Sequence, residues 1–486
     1  MAATALLQHY VEYLTSPALI VTLAVVVLPI IYTVAKERAL ASTSILSQRL
    51  YGLRRAGLVG RSNLKSLDQQ LAQAEGSAPR IKALFTYPVK SCRGVELAAS
   101  EVEGTGLKYD RSFTFAHSVP TQESSADKEL NEDDVTPEPG HHWRFITQRE
   151  FPRLALIETE LWLPDTRRKS AASRTDGGDT KNQLAGPSRP RSRARGDTLV
   201  GVLEQGSDKA KRHANGSDSS TKSGCLILRF PTPSLFGLMT QQAAIVLPLD
   251  PSPNHAKAKG YTSEQLSIWK DIALATNVTN ELDPKALGLL RKFLGVTKPL
   301  ALFRLDTSHK RPVSRCLPKD PHGECFEVGF ADAFPVNLLG MASVKATDDQ
   351  LPKEADVKGR LDARRFRANI YVTGISAFEE DVWKAISVGS RIGRDEEGLF
   401  ECEAEYHVAC RTARCKLPNV DPDTGVKDGN EPYTTLGKTR KVDEGAYPHP
   451  CLGMQMIPLF ERGILRVGDS VEVLETGEHS YEKMFT

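Results

Sequence analysis

From Tyr13 to Ala35 the chain carries no charged residue, and this run limits where everything after it can sit. Its 23 residues, PALIVTLAVVVLPIIYTVA among them, are long enough as a helix to cross a hydrocarbon layer of about 30 Å. Pro29 would kink such a helix, which membranes tolerate. No basic residue precedes the run, and it is long for a signal-peptide core; the Arg-rich amphipathic start of a mitochondrial presequence is also missing. Behind it stand Lys36, Arg38, Arg49, Arg54, Arg55, Arg61 and Lys65, opposed by Glu37 and Asp68. The positive-inside rule then leaves the body on the cytosolic side, with basic residues near anionic headgroups. The expectation is a short tail (1–12), a transmembrane signal anchor (13–35) and a basic juxtamembrane stalk (36–79), helical and polar over 40–75.

At 486 residues the body has room for roughly two to three units. The net charge of +2 points neither to a nucleic-acid binder nor to an acidic shell. The basic run PSRPRSRARG reads as a solvated loop, so no nucleic acid is expected as partner. Eight cysteines scattered along the chain are not a disulfide framework and suit a reducing compartment.

From Ile81, IKALFTYPVKS alternates as a half-buried strand does, and RSFTFAH and PRLALIETELWLP continue the style. Residues 118–140 and 166–223 are too polar and too rich in Ser, Gly and charge to offset chain entropy, and are expected to be disordered insertions. CLILRFP, AAIVLPLD and FRLD resume strands. SEQLSIWKDIALATNV (263–278) and PKALGLLRKFLG (284–295) read as amphipathic helices, with Trp269 in the core. A second unit starts at Phe326 and runs to RVGDSVEVLE, where Gly468-Asp469 suits a hairpin turn.

Eight segments carry the chemistry: YPVKSCRG (87–94), DRSF (110–113), TQREFPRLALI (147–157), FADAFPVNLL (330–339), RRFRANI (364–370), FEEDVW (378–383), ARCKLPNVDPDTG (413–425) and PCLGMQMIP (450–458). In this order they resemble the MOSC-domain proteins with an N-terminal MOSC β-barrel domain. Within them the chain is most similar to the membrane-anchored mitochondrial amidoxime-reducing components. The likeness covers residues 80–476 apart from the insertions. It implies an α+β, mainly β fold: an N-terminal MOSC β-barrel domain (80–310) and a MOSC β-barrel domain (326–476), preceded by one transmembrane helix and followed by a tail (477–486).

The resemblance also implies a molybdenum cofactor, Mo-molybdopterin, with Cys415 as the protein's ligand to the metal. A soft thiolate suits such a metal, and Arg411 and Arg414 nearby would favour its ionisation. The rival readings are a packed thiol and zinc, and the spacing of Cys402, Cys410 and Cys415 does not match zinc pairs. Lys90, Ser91 and Arg111 match the family's positions for the cofactor's anionic end, and Arg367 and Asn369 those that hold the pterin. Asp421 reads either as a polar neighbour of the metal with a proton-handling role or as a turn former. Cys451 is expected to pack. Ala333, Phe334 and Ala413 stand where the family carries hydroxyl side chains.

As activity, the likeness implies reduction of N-hydroxylated compounds (amidoximes, hydroxylamines, N-hydroxylated bases), with electrons from NADH through cytochrome b5 reductase and cytochrome b5. The mitochondrial outer membrane is the expected location and the endoplasmic reticulum the other. Alternatives are MOSC-type sulfur transfer and a membrane-tethered cofactor carrier or scaffold.

Overall fold

The computed structural model describes residues 49–58, 60, 62–64, 70, 78–120, 140–165, 199–202, 223–233, 240–269, 271–318, 325–395 and 398–482, with positions 16, 17, 21, 22, 25, 26 and 46 upstream. Most of the 13–35 run therefore lies outside the described residues; among those described, no helix is long and apolar enough to cross a membrane. Most of the two insertions lies outside them too.

Three β systems form the body. A five-stranded sheet has the order β1 (Leu53–Arg55), β8 (Glu158–Pro164), β10 (Cys225–Pro233), β11 (Thr240–Pro248), β9 (Leu199–Val202). Two expectations change here. Part of the supposed helical stalk is a strand, because Leu53–Arg55 pairs antiparallel with Trp162–Pro164. Residues 199–202, inside the second expected insertion, form a strand parallel to β11. Their sequence LVGV is apolar within a polar surround, which window composition averages away.

A closed barrel runs β12 (Thr262–Ile268), β13 (Asp271–Asn277), β14 (Leu300–Leu305), β6 (Phe113–Pro120), β7 (His141–Phe145). The helix expected over 263–278 is instead the β12–β13 hairpin. Leu266, Ile268, Ala273 and Ala275 are buried with Trp143 and Phe303 in the barrel interior, so period-2 burial overrides helical spacing. Trp269 sits at the hairpin tip with φ 57°, partly exposed, and not in the core. The helix expected at 284–295 is present as α2 (Pro284–Leu294), after α1 (Pro253–Lys259). Asp283 accepts a hydrogen bond from the Lys285 N–H, Pro284 opens the helix, and Gly295 at φ 76° closes it.

The largest sheet runs β3 (Val95–Leu97), β2 (Arg80–Thr86), β18 (Ile370–Thr373), β17 (Val336–Gly340), β21 (Cys451–Pro458), β20 (Gly398–Ala413), β19 (Trp383–Asp395), β22 (Arg462–Arg466), β4 (Ala99–Glu103), β5 (Gly106–Leu107), with β23 (Val471–Thr476) also on β19. Strands 80–107 thus join the sheet of the second half, so the two units interlock. Gly468, at φ 95°, does make a turn, but β22 and β23 each pair with β19 and form no hairpin with one another. A two-stranded ribbon, β15 (Arg311–Pro312) with β16 (Glu327–Val328), and helices α3 (Met341–Gln350) and α4 (Tyr433–Thr439) complete the described elements. Part of the 477–486 tail is packed: His479 is buried against the Trp383 carbonyl at 2.7 Å, and the Tyr481 N–H donates to Asp443 at 2.9 Å.

Candidate functional site

A cleft of about 350 Å³ opens between the barrel and the large sheet. Lys90, Ser91, Arg111, Arg367, Asn369 and Cys415 all line it. Lys90 and Ser91 come from the turn after β2, Arg111 from the residues before β6, Arg367 and Asn369 from the approach to β18, and Cys415 from just beyond β20. Left-handed backbone costs a non-glycine residue on the order of 1 kcal/mol or more. Four of the seven described residues that adopt it (Ser91, Arg111, Trp269, Arg367) line this cleft. Such clustering marks a built site.

The charge is one-sided. Lys90, Arg111, Arg149, Arg367 and Arg414 face a single carboxylate, Asp332. The Lys90 ammonium donates to Asp332 and to the Phe330 carbonyl at 2.8 Å, and lies 5.2 Å above the Phe145 ring. Burial pushes it down to about 8, while Asp332 works against the shift. Arg111 pairs with Asp110 and donates to Asn369 and to the Arg367 carbonyl, both at 3.3 Å. Arg111 and Arg367 both lie against the Tyr87 ring, at 5.0 and 4.2 Å. Arg367 donates to the Cys92 carbonyl at 2.7 Å, and its Nη2 is buried with no partner.

Asn369 is fully buried and ties strands together: its Nδ2 donates to the Phe85 carbonyl at 3.1 Å, and its Oδ1 accepts from the Asn337 N–H at 3.1 Å. Beneath the half-buried Cys415, Arg414 donates to the carbonyls of Leu452 and Phe366, each at 2.8 Å; burial lowers its guanidinium to about 10. Arg411 is not part of the lining. It pairs with Asp443 at 3.2 Å, which answers its charge, so only Arg414 stands beside the thiol.

Asp421 does not line the cleft either. It accepts from the N–H groups of Asp423 and Thr424 at 3.0 and 2.8 Å and from Arg365 at 2.7 Å. That is a turn former's environment. Cys451 is fully buried, as a packing residue is.

Several lining residues escaped the sequence reading. Arg149 lies in TQREFPRLALI and Asp332 and Asn337 in FADAFPVNLL, so those motifs are their signal. Thr412 supplies a hydroxyl one residue before Ala413, and its Oγ1 accepts from Asn337 at 2.6 Å. His449, Tyr481 and Trp269 had no local signal. At the mouth, Arg149 lies 4.1 Å over Trp269, whose ring meets Phe145 edge-on at 5.1 Å.

Residues 326–472 match the MOSC domain, and residues 78–209 the MOSC N-terminal beta barrel domain; together these span more than half of the chain. The chain belongs to the MOSC family. Among its relatives, the rat mitochondrial amidoxime reducing component 2 is 32% identical over 180 residues, 36% of this chain and 47% of the relative. The zebrafish (Danio rerio) mitochondrial amidoxime-reducing component 1 is 33% identical over 186 residues, 37% and 50%. The human component 2 is 32% identical over 182 residues, 36% and 47%. This MOSC protein thus spans about half the length of the relatives it matches.

Proposed function

We propose that the chain is a molybdenum-cofactor oxidoreductase that reduces N-hydroxylated compounds, amidoximes among them, to the corresponding N–H compounds. The observation that carries the reading is the convergence of Cys415 with Lys90, Ser91, Arg111, Arg367 and Asn369 in one cleft. These residues fit a pterin dithiolene cofactor chemically: a soft thiol for the metal, an amide and guanidinium for the flat ring, and clustered cations for the phosphate. The buried, unpartnered Arg367 Nη2 is a donor still to be met.

In this reading Cys415 is the metal ligand, held in place by the Arg414 clamp below it. Arg367 and Asn369 orient the pterin, and Lys90, Ser91 and Arg111 neutralise the phosphate. When bound, the cofactor supplies the two-electron chemistry that the side chains lack. Each turnover takes two electrons and two protons and releases the N–OH oxygen as water. NADH, cytochrome b5 reductase and cytochrome b5 would deliver the electrons. An anchor at 13–35, in the mitochondrial outer membrane with the body in the cytosol, would hold the protein beside membrane-bound donors and raise their effective concentration.

The test is the Mo and pterin content of the protein and of Cys415→Ala, produced in a cofactor-synthesising host, followed by benzamidoxime reduction with the reconstituted donor chain. Near-stoichiometric Mo in wild type, lost or spectroscopically altered in the variant, together with NADH-dependent reduction, is the expected result. Well-folded, cofactor-supplied protein without Mo would overturn it. Cofactor without reduction would favour the carrier role, and a desulfurated product would favour sulfur transfer.

A further inference from the structure

The N–OH group of an amidoxime has no partner among the residues used so far. Lys90, Ser91, Arg111, Arg367 and Asn369 serve the cofactor in the function proposed, and Arg414 donates to the Leu452 and Phe366 carbonyls. His449 lines the same cleft as Cys415 and is exposed, so a ligand can reach it.

Its place follows from the strands. β20 and β21 pair Ala413 with Cys451, and the Arg414 N–H donates to the Pro450 carbonyl at 2.7 Å. Carried one residue further, that register sets His449 opposite Cys415, and residues opposite one another in an antiparallel pair share a face. The backbone then turns away, with the His449 N–H on the Ala446 carbonyl at 2.9 Å. Tyr433, the first residue of α4, holds its hydroxyl 3.4 Å from His449 Nδ1 and stands within electrostatic reach of Cys415. That contact is long, as hydrogen bonds at such sites often are before a ligand arrives. With the Tyr433 O–H donating to Nδ1, the neutral ring carries its proton on Nε2 and has that N–H to give.

Resting on the reading above, we propose that His449 is the substrate-binding residue for the N–OH group and that Tyr433 positions its ring. The imidazole N–H donates to the hydroxyl oxygen of a bound amidoxime. As two electrons from the donor chain break the N–O bond, the oxygen takes one proton and leaves as water, and the nitrogen takes the other. The hydrogen bond strengthens as charge gathers on the departing oxygen. Both protons come from solvent, to which this part of the cleft is open.

The test compares wild type with His449→Ala, His449→Gln and Tyr433→Phe, each loaded with cofactor and supplied by the reconstituted donor chain. His449→Ala should keep its Mo and lose about tenfold or more in kcat for benzamidoxime, less than a fully buried donor to a developing charge would cost. Added imidazole should restore part of the rate, as should glutamine at 449, which keeps an N–H donor. Tyr433→Phe should lose about threefold, and nothing further in the His449→Ala background. A readout free of turnover is modification by diethyl pyrocarbonate without NADH, mapped by mass spectrometry. Benzamidoxime near saturation should slow labelling of His449 about fivefold. Wild-type kcat in His449→Ala, labelling indifferent to benzamidoxime, or loss of Mo from the variant would each overturn the role, the last by making His449 a cofactor residue. Any of these in an Mo-loaded protein that reduces benzamidoxime leaves the proposed function standing. A wild type without Mo, or without reduction, sinks that function and the role of His449 with it.

Discussion

Replacing Lys90 with arginine should abolish a pH dependence that anion binding in the wild-type cleft is expected to show. The ammonium is 6% exposed, and burial brings it down to about 8 from an ordinary 10.5. Raising the pH from about 6.5 to about 9.5 takes it from almost fully charged to roughly 3% charged. An anion that needs that charge would then bind about thirtyfold more weakly, roughly 2 kcal/mol. Sulfate is the right probe because its own charge is constant over this range, and calorimetry on cofactor-free protein reads the constant directly. Fold stability should move the opposite way. The folded value lies below the unfolded one, so the penalty for the charged lysine is full below about 8 and fades as the pH rises toward 10.5. Lys90's own contribution to stability therefore improves by about 3 kcal/mol across that window. Arginine stays charged throughout and should flatten both trends. Equal pH slopes in wild type and Lys90→Arg would refute the argument.

The other expectations are narrower. Asp421→Ala should leave Mo content unchanged but lower stability by about 1–2 kcal/mol, read from urea midpoints. Burial raises the Asp421 carboxyl, but the Thr424 N–H and the Arg365 charge outweigh it and hold it below the usual value. Its stabilisation is thus present at neutral pH and should vanish as the pH falls through the folded value, closing the gap to the variant. Gly453→Ala should cost about 1–3 kcal/mol in thermal unfolding and reduce bound Mo, because the position has φ 76° and a Cβ there would lie 2.6 Å from the Leu338 carbonyl and 3.2 Å from Arg414 Nη2. If the proposed activity holds, Trp269→Ala should raise KM for benzamidoxime about fivefold with little change in kcat, since the ring stands at the mouth against Arg149; a fall in kcat alone would contradict that placement.

Much of the site was legible in local chemistry, and what was missed shares a cause. The lining residues Lys90, Ser91, Arg111, Arg367, Asn369 and Cys415 are polar or reactive groups inside unusual short motifs. Trp269 was misplaced because its flanks, read alone, satisfy both helical and alternating burial. Only pairing with β7 and β14 decides for the hairpin, and that pairing is non-local. Strand β9 was lost for the same reason: four apolar residues have no meaning until Gln242 and Ala244 supply a register. Arg411 and Arg414 look equivalent in sequence, three residues apart on either side of Ala413. Only the fold gives one to Asp443 and leaves the other under Cys415.

The two ends of the cleft are mechanically one object. Arg414 Nη2 reaches Asn337 Oδ1 at 3.4 Å, the Asn337 N–H donates to Asn369 Oδ1 at 3.1 Å, and Arg111 donates to that same oxygen at 3.3 Å and to the Arg367 carbonyl. The chain of contacts runs from beneath the thiol to the cations without a mobile loop in between, and Asn337 and Asn369 sit on paired strands or their direct approach. The distance from thiol to anion-binding groups is therefore set by the large sheet, not by the ligand. A cofactor with a soft metal at one end and a phosphate at the other needs that fixed spacing, whereas a lone packed thiol would not require a network behind it. On the proposed reading Ala413 would matter little to the ligand position: its neighbour Arg414 fixes the backbone through two carbonyls, and Thr412 fixes it through Asn337, so the frame that presents Cys415 stays in place without a hydroxyl at 413.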